Sequence, residues 1–169
     1  MWNAPAPSFT ATLRSVPGGD AGSLETVAVM RALVNAAKVD PYILNFAVSV
    51  VFQEPQQDEA AEVGAIFNYV RGFVRYVRDV VGIESVSTPH MSIMRRVGDC
   101  DDKAVLLASL LEAIGYPTRF VLAAYRGHAF EHVYTQVYFR DGWVSLDPTI
   151  MQPWGYEAPG ALRLWIEKV

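Results

Sequence analysis

The sequence has little of what secreted and membrane proteins need. It contains one cysteine in 169 residues, so no disulfide can form within the chain and a reducing compartment is expected. No apolar run reaches the roughly 20 residues that span a bilayer. The opening residues, MWNAPAPSFT, lack the basic and apolar regions of a signal peptide. These absences predict a cytoplasmic protein without a membrane partner.

The chain also has little excess charge. Its 14 Lys and Arg residues and 18 Asp and Glu residues give a net charge of −4 and a pI near 5.3, which argues against nucleic acid as a partner. Apolar residues make up 51% and charged residues 19%, as in globular proteins. We expect one domain over 1–169, with an N-terminal arm over 1–22 that contains a short edge strand at 8–16. The oligomeric state stays open.

Three helices are expected in the first half of the chain. Ser23 is a good N-cap for a helix over 24–38, and Asp40 followed by Pro41 is a second start signal. Residues 57–80 carry apolar side chains at helical spacing, which predicts a long third helix.

The second half changes from helical to strand periodicity. A loop over 82–97 leads to a helix within the segment GDCDDKAVLLASLLEAIGYP. After it, RFVLAAY, HVYTQVYFR and WVSLDPT alternate as three strands, and the tail has room for one more. Helices followed by a largely antiparallel sheet predict an α+β fold.

The single cysteine lies where this later helix begins. Asp99 is a suitable N-cap, which puts Cys100 at the first helical position. The helix dipole favours a thiolate, and so does Lys103, which is expected close to Cys100 on the helix surface, three residues on. Asp101 and Asp102 oppose it. The sequence leaves this balance open. A thiol that faces the following strands would need a base there.

A histidine and an aspartate on neighbouring strands are the candidates for that base and its orienting acid. A two-residue turn at Asp141–Gly142 would hold His132 and Asp147 too far apart for a hydrogen bond. A four-residue loop that pairs Tyr138 with Trp143 would make them diagonal neighbours, roughly 7–8 Å apart at Cα. We therefore predict the wider loop as a condition of a Cys–His–Asp arrangement.

Three blocks in order carry a resemblance to a known family. GDCDDKAVLLASLLEAIGYPTRFV, HVYTQVY and GWVSLDPT resemble the transglutaminase-like superfamily of papain-like fold, in particular its small prokaryotic and phage-encoded members. The resemblance covers about 58–150, the recognisable core. It implies Cys100 as nucleophile, His132 as base and Asp147 as orienting acid. Family members include cross-linking acyltransferases, cysteine peptidases, deamidases and inactive relatives.

The implied reaction is acyl transfer or hydrolysis at an amide of a protein or peptide, through a thioester and without a metal or cofactor. The backbone N–H of Cys100 is an expected oxyanion donor. The glutamine that papain-like peptidases place upstream is absent. Tyr76, Ser87 and Thr88 are candidates for the second donor, and Asp99 is an accessory candidate.

Two alternatives stay open. His128, Glu131 and His132 spell H-x-x-E-H, an inverted zinc-peptidase signature that works from a helix. A catalytically idle domain that serves assembly is the non-enzymatic alternative. Its partner surface would draw on aromatic residues of the tail, namely Trp154, Tyr156 and Trp165.

Overall fold

The structure is a computed structural model that describes residues 19–55, 58–78, 85–127 and 129–169. Its helices are α1 (Asp20–Ala37), α2 (Pro41–Val51), α3 (Glu59–Phe73), α4 (Pro89–Arg95) and α5 (Cys100–Ala113). Its strands are β1 (Arg75–Tyr76), β2 (Val97–Gly98), β3 (Thr118–Ala124), β4 (His132–Phe139), β5 (Gly142–Leu146) and β6 (Arg163–Lys168). The predicted α+β class is confirmed. The edge strand predicted at 8–16 lies outside the described residues.

The first two helices begin at different kinds of cap. The Asp40 carboxylate accepts a hydrogen bond of 2.8 Å from the backbone N–H of Tyr42, so the predicted start of α2 is confirmed. The predicted start of α1 is wrong. That helix begins at Asp20, and the Ser23 hydroxyl donates to the Gly19 carbonyl at 3.4 Å. A serine within a first turn can bond a carbonyl four residues earlier instead of capping the helix.

The third helix is shorter than predicted. Helix α3 ends at Phe73, and β1 then pairs in parallel with β2. Val74 keeps the helical spacing of the preceding apolar residues and is fully buried, although its backbone is already extended. Apolar spacing alone therefore could not show where the helix ends. The β1–β2 pair brings Tyr76 beside Gly98, two residues before Cys100.

The helix α5 is the centre of the core. The four-stranded sheet has the order β5-β4-β3-β6 with antiparallel neighbours, and α5 packs on β3 and β4 while α1, α2, α3 and α4 pack around α5. Residues 102–111 of α5 are all buried. Within the described residues, no helix is both long and apolar enough to cross a bilayer.

The β4–β5 hairpin has the predicted register and a shorter turn. Tyr138 pairs with Trp143, as predicted. The pairing continues to Phe139 and Gly142, so the connection is a two-residue turn of Arg140 and Asp141. The predicted four-residue loop is therefore wrong. Both turn residues have positive φ, 46° and 65°, as a type I′ hairpin turn requires. The turn lies one residue earlier than the Asp–Gly pair suggests.

Candidate active site

The nucleophile candidate occupies the first position of α5. The Asp99 carboxylate accepts hydrogen bonds from the backbone N–H groups of Asp101 at 3.1 Å and Asp102 at 3.2 Å. The predicted N-cap is therefore confirmed. Two of the N–H groups that a helix start leaves unpaired are satisfied in this way. The cap holds the backbone of Cys100 in place before the buried part of α5 begins.

The surroundings of the thiol favour its protonated form. Burial raises the pKa of Cys100, and the charges of Asp101 and Asp99 raise it further, against a lowering by a hydrogen bond from the Val133 backbone. The thiol lies 3.5 Å from the Asp101 carboxylate, to which it donates. The balance that the sequence left open is thus decided by burial and the two carboxylates.

A carboxylate–imidazole pair joins β4 to the end of β5. The Nε2 atom of His132 lies 2.7 Å from Oδ2 of Asp147. Asp147 is 7% exposed, and its other oxygen accepts from the backbone N–H of Thr149 at 3.0 Å and from its hydroxyl at 2.6 Å. Burial raises the pKa of Asp147, but the hydrogen bonds and charge of His132 and the Thr149 bonds outweigh it and hold the pKa below its ordinary value. An ionised Asp147 on Nε2 leaves Nδ1 as the ring nitrogen open to a reacting group.

The packing of α5 on β4 places Cys100 near Val133, the residue after His132. The backbone of Val133 lowers the pKa of the Cys100 thiol, and Cys100 packs against the apolar cluster that contains Val133. Further along the strand, the Thr135 hydroxyl donates to the Ala104 carbonyl of α5 at 3.2 Å. The helix therefore lies along the strand with its cysteine at the histidine end.

Comparison with known proteins identifies the family of this chain. The sequence profile of the transglutaminase-like superfamily matches residues 47–148. The chain belongs to the transglutaminase-like superfamily. A comparison with curated protein sequences gave no match.

Solved structures share the superfamily fold. A proposed cysteine protease from Cytophaga hutchinsonii has 18% sequence identity and a TM-score of 0.55, with 75% of this chain and 50% of that chain covered. A proposed protease from Parabacteroides distasonis has 14% identity and a TM-score of 0.57, with 72% and 26% covered. The chain thus spans half of the first protein and about a quarter of the second. At these identities the likeness shows the fold.

Sequence reasoning missed a polar network beside the histidine of this superfamily member. The His132 ring stacks on Tyr134 at 6.1 Å between centroids. Tyr134 is 3% exposed, and its hydroxyl donates to Glu157 at 2.5 Å. Gln136 and Ser145 donate to the same carboxylate at 3.2 Å and 3.3 Å. The alternation of β4 indicated the shared face, but nothing local indicated that Glu157 in the tail would complete it.

The three candidates for the second oxyanion donor, Tyr76, Ser87 and Thr88, differ in their contacts. Burial raises the pKa of Tyr76, its interaction with Cys100 raises it further, and Arg78 lowers it. The Thr88 hydroxyl caps α4 by accepting from the Met91 N–H at 3.4 Å. The Ser87 N–H donates to Asp102 at 2.6 Å. Of these three residues, Tyr76 is the one with an interaction with Cys100.

Lys103 does not lie where the sequence suggested. We expected it on the helix surface beside the thiol, but it is 2% exposed and its ammonium donates to the Pro148 carbonyl at 3.0 Å. The expected surface position is wrong. The reason is that this side of α5 meets the chain just beyond β5, so position 103 is covered.

The zinc-peptidase alternative lacks the helix that it needs. Residues 129–131 contain no helix, and His132 begins β4. Glu131 accepts from the backbone N–H groups of Tyr125 and Arg126 at 3.1 Å each, and His132 is bound to Asp147. His128 lies outside the described residues.

Three side chains at the start of α5 lie close enough together to hold a metal ion. Ligand atoms of Asp99, Cys100 and Asp101 all lie within 4.8 Å of one another. The Asp99 carboxylate already caps α5, and the Asp101 carboxylate accepts from the thiol. Both carboxylates thus have a role in the chain itself, and we derive no metal chemistry from the cluster.

Proposed function

We propose that this transglutaminase-like domain is a cysteine-dependent amide hydrolase or acyltransferase that acts through Cys100, His132 and Asp147. The observation that carries the proposal is the contact of 2.7 Å between His132 and Asp147 on neighbouring chain segments. The next residue of β4, Val133, is near enough to Cys100 to lower the pKa of the thiol. Nucleophile, base and orienting acid are the parts that a thiol mechanism needs. Membership of the superfamily supports the same chemistry.

The proposed reaction has two acyl-transfer steps. Nδ1 of His132 takes the proton of the Cys100 thiol while the sulfur attacks the carbonyl carbon of an amide. The tetrahedral intermediate expels ammonia or an amine, which takes that proton from His132, and a thioester on Cys100 remains. Water or a second amine then attacks the thioester and releases the thiol, with His132 again carrying the proton. Asp147 holds the ring orientation and stabilises the imidazolium that forms.

The raised thiol pKa decides how the nucleophile is activated. Since burial and the carboxylates of Asp101 and Asp99 raise the pKa of Cys100, the resting sulfur is a thiol near neutral pH. The proton must therefore leave as the sulfur attacks, so the reaction depends on His132 as a general base. Stabilisation of the oxyanion is assigned to the Cys100 backbone N–H at the start of α5.

Tyr76 is the proposed second oxyanion donor. The raised pKa of its phenol keeps the O–H group protonated over the physiological range, as a donor requires. Replacement by phenylalanine is expected to lower kcat on the order of 10²-fold, the usual effect of losing one oxyanion donor. An unchanged kcat in Tyr76→Phe would remove this assignment and leave the triad proposal standing.

The proposed substrate is a protein or peptide amide, with neither nucleic acid nor a membrane as partner. Two solved structures of the same fold come from proteins described as proteases, which favours hydrolysis as the first reaction to test. The net charge of −4 is consistent with the exclusion of nucleic acid.

The test uses one peptide mixture and three readouts. New α-amino groups report peptide cleavage, released ammonia reports deamidation, and incorporation of a fluorescent primary amine reports transfer. We expect at least one signal from the wild type, its loss in Cys100→Ala, and a drop on the order of 10³-fold or more in His132→Ala. A signal that persists in Cys100→Ala would refute the thiol mechanism.

The idle assembly domain remains the second candidate, because the raised thiol pKa would also suit an unreactive cysteine. In the tail, Trp154 packs edge-on against Phe139 at 5.9 Å, whereas Tyr156 and Trp165 are 38% and 44% exposed. The two exposed rings are the ones that a partner would contact. A wild type with no signal in all three readouts, and with the same thiol alkylation rate as His132→Ala, would favour this candidate.

A further inference from the structure

A buried cation lies next to the site and takes no part in the proposed reaction. Lys103 is buried, with 2% of its surface exposed. The other lysines and arginines of the described residues are not buried. Burial lowers its pKa, the charge of Asp147 raises it, and Arg71 lowers it. Burying an ammonium group is costly, and an apolar side chain of similar length usually fills such a place at no loss of stability. A need other than stability should therefore account for the lysine.

The hydrogen bond of Lys103 points to that need. Its ammonium donates to the carbonyl of Pro148 at 3.0 Å. Pro148 stands between Asp147, which binds His132, and Thr149, which binds Asp147 through both its N–H and its hydroxyl. The lysine is also one helical turn beyond Cys100. One side chain thus ties the helix of the nucleophile to the segment of the acid.

We propose that Lys103 is a positioning residue that fixes the 147–149 segment against α5, so that Asp147 meets His132. The hydrogen bond spans the two elements that carry the nucleophile and the acid, and no strand pairing extends over residues 147–149 to do so. A displacement of about 1 Å in such a site can cost on the order of 10²-fold in rate. The kinetic part of this inference rests on the proposed function; the geometric part does not.

The test compares Lys103→Met with Lys38→Met. Methionine keeps an unbranched apolar chain, one atom shorter than that of lysine, and loses the donor. Lys38 is a half-buried lysine that pairs with Glu112 at 3.4 Å near the other end of α5. In Lys103→Met we expect kcat to fall roughly 10- to 100-fold with KM changed less than about threefold. We expect Lys38→Met to keep both constants.

A spectroscopic readout works without turnover. The proton shared by His132 Nε2 and Asp147 should give a low-field NMR resonance in the wild type. In Lys103→Met this resonance should move upfield or be lost by exchange, because Asp147 is no longer held. Loss of the positive charge alone would make the Asp147 carboxylate a stronger acceptor, and the resonance would then move further downfield. The direction of the shift therefore separates loss of position from loss of charge.

An unchanged or downfield resonance in folded Lys103→Met would overturn the inference. If that variant does not fold, Lys103→Gln is measured instead, and the same upfield shift is expected because the amide is shorter. If the wild type turns over no amide, the proposed function fails, while the resonance still decides whether Lys103 positions Asp147.

Discussion

The reactivity of Cys100 is set by the few groups around its sulfur. Burial is the main cause of its raised pKa, with Asp101 and Asp99 next. Asp99 is also the helix cap, so its charge comes with a structural role. Asp101 has no cap role and accepts from the thiol at 3.5 Å. Of the two carboxylates, Asp101 is therefore the one to remove.

Asp101→Asn should make the thiol more reactive. Loss of this charge lowers the pKa of Cys100 and increases the thiolate fraction at a given pH. We expect the alkylation rate by iodoacetamide at pH 7.5 to rise about threefold to tenfold, as a shift of half to one pKa unit implies. Asp141→Asn on the exposed hairpin is the control and should leave the rate unchanged. A slower reaction in Asp101→Asn would show that the carboxylate helps the thiol.

The residues of the site differ in how far a sequence can predict them. Cys100, Asp99 and the Asp147–Pro148–Thr149 turn carry local signals, since caps and aspartate–proline turns depend on neighbours in the chain. Lys103 and Glu157 carry none. Whether a helix position three residues after a cysteine is exposed depends on what packs there, and Glu157 reaches Tyr134 from 23 residues away.

Thr149→Val tests how Asp147 is held. The hydroxyl of Thr149 donates to the carboxylate at 2.6 Å, and a hydrogen bond to a charged group contributes about 1.5–3 kcal/mol. Because the pKa of Asp147 is lowered in the folded state, this stabilisation is present above the unfolded value of about 3.9. It is lost as the pH falls through the folded pKa.

Urea unfolding of Thr149→Val should therefore show a pH-dependent loss. At pH 7 we expect the free energy of unfolding to be lower than in the wild type by about 1.5–3 kcal/mol. Near pH 3 the two proteins should be closer in stability. An equal difference at both pH values would mean that the hydroxyl does not act through the charged carboxylate.

At the scale of elements, the β4–β5 hairpin decides whether His132 and Asp147 can meet. Strand alternation and the need for a reachable carboxylate predicted its register, because side-chain direction has a period of two. The position of the turn could not be predicted in the same way. An Asp–Gly pair usually occupies the two central positions of a hairpin turn, but here Asp141 is the second turn residue and Gly142 is the first residue of β5. The early end of α3 could not be predicted for a similar reason, since Val74 is buried whether its backbone is helical or extended.

Asp141→Gly should stabilise the hairpin without moving the site. Asp141 has φ of 65°, a conformation in which glycine avoids the Cβ penalty. We expect about 0.5 kcal/mol of added stability in urea unfolding and an unchanged kcat/KM. A loss of activity would mean that the turn shifts the pairing of β4 with β5, contrary to the observed register.

At the scale of the whole molecule, tyrosines make folding sensitive to alkali. Burial is the first cause that raises the pKa of Tyr69, Tyr76, Tyr116, Tyr125 and Tyr134. A group whose folded pKa is raised binds its proton more tightly when folded, so its stabilisation is present below the unfolded pKa, about 10 for tyrosine, and is lost as the pH rises. The folded chain should accordingly weaken above pH 10.

Denaturant unfolding between pH 8 and pH 11 measures this effect. We expect the free energy of unfolding to fall above about pH 10, and to fall less steeply in Tyr116→Phe, which no longer donates to Glu62 at 2.6 Å. Tyr138→Phe, which removes the hydroxyl of an exposed tyrosine, is the matched control for Tyr116→Phe. A wild-type stability that is constant up to pH 11 would contradict the account.

The pH profile of Cys100 alkylation, measured in the wild type, His132→Ala and Asp147→Asn, tests most directly whether the three residues of the triad act as one unit. We expect wild-type reactivity near neutral pH that is lost in His132→Ala and reduced in Asp147→Asn, because the protonated thiol needs its base and the base needs its carboxylate. Three superimposable profiles that rise only at alkaline pH would contradict this expectation.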